Sequence, residues 1–142
     1  MISNQLIVCL GTTTLALSLF SAQGAGKTAV DLSKLPPASD KTGVTYATDI
    51  KPIFDKACIT CHGAEKHKAR LRLDGLEDVL KGGEDGRVVL PGNSAGSLLV
   101  HNIAFAGRKD GYMPPPRNKA NIPPLTREQI GLIRAWIDQG AE

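Results

Sequence analysis

The chain reads as an all-α domain with long loops, and three features predict this. Apolar residues recur three and four apart in two separate stretches. One runs through Ile50, Ile53, Phe54, Ala57, Cys58 and Cys61, the other through Ile130, Ile133, Trp136 and Ile137. Segments that alternate apolar and polar residues are short. Between the periodic stretches lie Gly82-Gly83 and Pro114-Pro115-Pro116, which interrupt both helix and strand. The 142 residues suit one domain of ordinary size and are too few for two.

Residues 1–25 read as an export signal. Ile7 to Phe20 is mostly apolar, and Ser21-Ala22-Gln23-Gly24-Ala25 offers small residues for cleavage after Gly24 or Ala25. No Lys or Arg precedes the apolar run, so only the amino terminus supplies positive charge there. An uncleaved anchor is the alternative; Thr12-Thr13-Thr14 and the shortness of the run argue against a stable span, and none is expected once the signal is removed. Residues 26–44 carry Pro36-Pro37, Ser39, Asp40, Thr42 and Gly43 with little periodicity. They read as a linker, flexible or laid over the domain surface.

The folded unit is expected over residues 45–142. Its first helix follows Thr48-Asp49, either of which can cap it, and Pro52 is tolerated in a first turn. Gly63 then lets the chain turn away. Arg70 to Leu73 and Arg87 to Leu90 alternate or run apolar and are expected to pair as a minor two-stranded ribbon. Short helices are expected over residues 76–81, ended by Gly82-Gly83, and 97–104. The last helix opens on a capping box, Thr126 with Gln129, and closes at Gly140.

The first helix ends in Cys58-Ile59-Thr60-Cys61-His62, whose side chains together perform one job. Two thiols three positions apart can bond to the two vinyl groups of a haem, and the histidine after them can ligate its iron. One covalently attached haem c is therefore the expected cofactor. Cys9 lies within the export signal, so its removal leaves no third cysteine. A paired-cysteine zinc site would want a second knuckle, which this chain lacks. A thioredoxin-like pair would stand where a strand leads into a helix, not at a helix end.

A six-coordinate iron needs a ligand opposite His62. Met113 is the one methionine beyond the initiator. The prolines after it restrict its backbone, and a preorganised thioether raises the potential of a haem. The alternative for Met113 is a gap-filler beneath a proline loop. His101, on a short helix beside Leu98, Leu99 and Ile103, is the competing ligand. His67 lies among charges and close to His62 in sequence. Leu71, Leu73, Leu98, Leu99, Ile103 and Ile122 are candidates for the apolar wall of the site. Arg70, Arg72 and Arg108 are candidates for pairing with the haem propionates, a solvated surface being the plainer reading of each.

These residues resemble a monohaem class I cytochrome c, and more closely the planctomycete-type cytochrome c domain. The matching segments are Asp49-Ile50-Lys51-Pro52-Ile53-Phe54, Cys58 to Gly63, Leu71-Arg72-Leu73-Asp74, Leu80-Lys81-Gly82-Gly83, Leu90-Pro91-Gly92, Met113-Pro114-Pro115, Trp136-Ile137 and Gly140-Ala141. The resemblance implies that the first and last helices cross with Phe54 and Trp136 at their contact. It also implies export to the periplasm or cell surface. Members of that family often carry this domain at the front of much larger proteins. Here the domain is expected to stand alone, with any catalytic domain or partner in a separate chain.

The function expected is that of a one-electron carrier between other redox proteins, without enzymatic activity of its own. A haem enzyme or a gas or redox sensor would need a displaceable sixth ligand and, for peroxide chemistry, distal acid–base groups. A docking module of a larger redox complex is the third class. A formal charge of +3, which the propionates would lower, and the lack of a basic run interleaved with aromatics give no sign of a nucleic-acid binder, and none is expected as a partner.

Overall fold

The computed structural model describes residues 29–142, so the expected export signal of residues 1–25 lies outside the described residues. Among those described, five α-helices form: Lys51–Ala57 (α1), Ile59–His62 (α2), Leu76–Lys81 (α3), Leu98–Ile103 (α4) and Arg127–Asp138 (α5). Single helical turns and long loops join them, and no strand forms. The all-α class holds.

The entry to α1 differs from the expected cap. Thr45 is the capping residue, accepting from the Thr48 N–H, while Asp49 Oδ2 accepts from the Thr45 N–H at 3.0 Å. A wide π-type turn, Tyr46–Ile50, then leads into α1, with the Lys51 N–H donating to Tyr46 O. Pro52 supplies the reason: it has no N–H for the preceding turn, and its ring crowds the carbonyl four residues back. Widening the turn by one residue accommodates it.

The opposite pole is set by α5. Thr126 and Gln129 form the expected capping box. At the other end the Gly140 N–H donates to Ile137 O and the Ala141 N–H to Trp136 O, with Gly140 at φ +112°. These two bonds make a Schellman closure, which a Cβ at Gly140 would strain. Ile130, Ile133, Trp136 and Ile137 are all buried, as the spacing requires.

Phe54 of α1 and Trp136 of α5 meet edge to face, centroids 6.5 Å apart at 86°. Tyr46 sits against both rings, at 6.2 Å and 6.0 Å. All three are buried, and edge-on geometry sets the positive rim of one ring against the negative face of another. The Tyr46 hydroxyl donates to Leu73 O at 2.9 Å, and the Trp136 indole N–H to Glu142 O at 2.9 Å. The first bond ties this aromatic cluster to the segment beyond α2.

The two-stranded ribbon expected from Arg70 to Leu73 and Arg87 to Leu90 does not form. Arg70, the first residue of the expected segment, takes a φ of +54°, as does Ala69 before it, so the chain enters the segment through a left-handed turn. The backbone groups pair elsewhere: the Leu73 N–H with His62 O at 2.7 Å, and Val88 O with the Leu99 N–H at 2.9 Å. The second segment runs beside the start of α4, where the Leu90 N–H donates to Ser97 Oγ at 2.9 Å.

Residues 36–44 lie against α5, and the segment before them meets the loop after α4. The Ser39 N–H donates to Gly131 O at 2.9 Å, Arg134 donates to Pro36 O, and the Val44 N–H donates to Gln139 Oε1 at 3.2 Å. Asp31 adds a bond to Ala106 O at 2.8 Å.

Candidate haem site

The helix expected to run through both cysteines breaks at Cys58, whose φ of −125° lies outside the helical region, and restarts as α2. The turn still gathers the motif. Cys58 O accepts the Cys61 N–H at 3.0 Å and the His62 N–H at 2.9 Å, so all three functional residues stand on one helical turn. Gly63 closes it in an extended conformation, not a left-handed one. Its lack of a side chain is needed for space, since a Cβ there would meet Ile59 O at 2.6 Å.

His62 is 8% exposed, and its Nδ1 faces Leu71 O at 3.3 Å. With Nδ1 donating to that carbonyl, Nε2 is left as the free ring nitrogen, the arrangement a metal-ligating histidine uses. Burial lowers the pKa of His62 and so favours the neutral imidazole. Burial also pushes the Cys58 thiol up to about 12, with Cys61 adding to the shift.

Across from this turn, Met113 lies past the loop that leaves α4. Its N–H donates to Asn102 O at 3.1 Å, and the Met113–Pro114 peptide bond is cis. Tyr112 stacks on Phe105 at 4.6 Å and 15°. Farther along, Asn118 pins the loop: its amide donates to Pro115 O and Ile122 O, and its Oδ1 accepts the Ile122 N–H.

Between the two sides lies a cavity of about 320 Å³ bordered by Cys58, Cys61, His62 and Met113 together. Its apolar wall includes Leu71, Leu73, Leu99, Ile103 and Ile122, as expected, and also Val88 and Leu125, which the sequence pattern did not single out. Leu98, also expected in that wall, is not part of it. Its side chain falls on the outer face of α4 and borders a neighbouring cleft instead. His101 borders that same outer cleft, with Nε2 at 2.7 Å from Ala95 O, and does not reach the cavity between Cys61 and Met113. His67 is exposed.

Of the three arginines that are candidates for the propionates, two pair with carboxylates. Arg72 forks onto Asp74 at 3.0 and 2.8 Å and reaches Asp78 at 3.3 Å. Arg108 forks onto Asp110 at 3.1 and 2.7 Å, which holds that carboxyl below its ordinary pKa. Arg70 is exposed and does not border the cavity. The cation on the cavity wall is Lys68.

This cavity lies mostly between α2 and the Met113 loop, and the sequence spanning those elements has known counterparts. Residues 58–117 match the family described as Planctomycete cytochrome C. The match supports a c-type cytochrome domain over that stretch. No curated protein and no solved structure matches the chain. A cytochrome c domain implies haem c, and the Cys58–Cys61 spacing fits covalent attachment. The matched residues carry both the thiol turn and Met113, whereas α1 and α5 lie outside them. Two thiols, a neutral imidazole with one nitrogen free, a thioether and apolar walls form a donor set that fits the cofactor of such a domain. Among the described residues no helix is long and apolar enough to cross a membrane.

Proposed function

We propose that residues 45–142 form a monohaem cytochrome c domain that carries one electron at a time between redox proteins outside the cytoplasm. The observation that supports this best is the meeting of Cys58, Cys61, His62 and Met113 on one apolar cavity. In this reading Cys58 and Cys61 would hold the haem through thioether bonds, which would prevent its loss. His62, through Nε2, and Met113, through its sulfur, would be the residues that ligate the iron. When bound, haem supplies the one-electron couple, and the chain supplies ligands, dielectric and docking surface.

Leu71, Leu73, Val88, Leu99 and Ile103 exclude water from the site. Their low polarity disfavours the extra charge of the ferric state, as does a thioether ligand. Met113 is preferred to His101 as the sixth ligand because Met113 borders the cavity and His101 borders the outer cleft. Residues 1–25 are proposed as an export signal, which agrees with the usual extracytoplasmic setting of cytochrome c domains. Residues 26–44 are proposed as a linker laid over the domain, a reading supported by the bonds of Ser39 and Pro36 to α5.

A potentiometric titration of the purified holoprotein tests the carrier role. A single reversible one-electron transition is expected, with a low-spin spectrum and a weak band at the red end that disappears in Met113→Ala. A high-spin ferric spectrum in the unmutated protein, binding azide or carbon monoxide readily, would instead favour an enzyme or sensor.

A further inference from the structure

Asn102, in the last turn of α4, meets the Met113 loop in two ways. Its carbonyl oxygen accepts the Met113 N–H at 3.1 Å. Its side chain lies against Gly111, where a Cβ would come within 2.8 Å of Asn102 Oδ1 and 3.4 Å of Cγ. The backbone bond matters because the next three residues cannot replace it. Pro114, Pro115 and Pro116 have no N–H, so Met113 supplies the only main-chain donor across four residues.

The side-chain contact has a second consequence. The haem cavity adjoins a cleft bordered by Val30, Leu98, His101, Gly107 and Arg108, and four residues border both spaces: Asp85, Asn102, Asp110 and Gly111. The meeting of Asn102 with Gly111 is thus part of the partition between the cavity and the outer cleft.

We propose that Asn102 is the positioning residue of the distal loop, holding the Met113 sulfur over the cavity and closing the cavity against the outer cleft. The proposal rests on the reading of Met113 as sixth ligand. An internal thioether outcompetes external ligands only while the loop is preorganised to present it. An exogenous ligand binds the fraction of molecules in which Met113 is off, so its apparent affinity reports how firmly the loop is held.

Azide titration of the ferric, haem-loaded full chain tests this. Asn102→Ala removes the side chain but keeps the carbonyl. Gly111→Ala disturbs the same contact from the opposite side. Each is expected to tighten azide binding about tenfold and to weaken the red-end band. The double variant should add little to either, because both disrupt the same contact. Val100→Ala, at a fully buried position of the same helix, is the control for a merely structural effect. It should lower the melting temperature and leave azide affinity unchanged.

Unaltered azide affinity and band in both Asn102→Ala and Gly111→Ala would overturn the proposal, as would an equal effect of Val100→Ala. Should Asn102→Ala fail to fold, Gly111→Ala decides by the same two readouts. A band missing from the unmutated protein, or kept in Met113→Ala, overturns the ligation reading itself and is told apart by that spectrum alone.

Discussion

Tyr46 shows how one side chain can join the aromatic core to the site. Its ring packs between Phe54 and Trp136, and its hydroxyl reaches Leu73 O, eleven residues past the haem-motif histidine. Burial pushes this phenol up to about 12, helped by the carboxylates Asp55, Asp74 and Asp78. An unfolded tyrosine ionises near pH 10, so the neutral hydroxyl stabilises the fold fully below that value. Stability is then lost as pH rises from about 10 through about 12, because the unfolded state releases its proton first. Urea unfolding at a series of alkaline pH values should show this loss in the unmutated protein and a smaller one in Tyr46→Phe. The same substitution should cost about 1 kcal/mol at neutral pH, the usual value of a lost hydrogen bond, with Leu73 O left to find another partner. Identical slopes in the two proteins would contradict the assignment. Gly63→Ala is a second residue-level test: a Cβ 2.6 Å from Ile59 O forces the backbone beside His62 to move. A lower yield of haem-loaded protein is expected, read from absorbance per unit of polypeptide.

Among the elements, α5 depends most visibly on local signals. Thr126→Ala removes the capping hydroxyl that accepts the Gln129 N–H and should cost about 1 kcal/mol, measured by chemical denaturation. Such local signals explain why α3, α4 and α5 were legible in the sequence to within a residue. Ser97 flanks α4, Gly82 ends α3, and the Thr126–Gln129 box with Gly140 brackets α5. Where the outcome depends on tertiary partners, reading from sequence goes astray. Pro52 pushes the capping role back from Thr48-Asp49 to Thr45. The break at Cys58 is hidden because Cys58 and Cys61 continue the apolar spacing of α1. The first segment of the expected ribbon is entered through left-handed Ala69 and Arg70, residue types that give no warning of positive φ.

At the scale of the molecule, the aromatic cluster and the candidate ligands come from different parts of the chain, while Leu73, Val88, Leu99, Ile103 and Leu125 belong to both core and cavity wall. Cys58, Cys61 and His62 are legible because they share one short motif, and Met113 because it is unique beyond the initiator. Asn102 carries no such signal; its role arises only when α4 meets the proline loop. Asn118 offered a weaker one, since asparagines commonly bond the backbone of their own turns. The core outside the family match rests on Trp136 against Phe54 and Tyr46. Trp136→Ala should cost about 3–5 kcal/mol and sharply reduce the recovery of folded protein. The central claim, that Cys58 and Cys61 hold one haem covalently beside His62, is tested most directly by the intact mass of protein made in a host able to attach haem c. The account predicts a mass of the processed polypeptide plus one haem, with colour that stays in the protein pellet after acid–acetone treatment. A bare polypeptide mass, or colour that passes into the solvent, would contradict it.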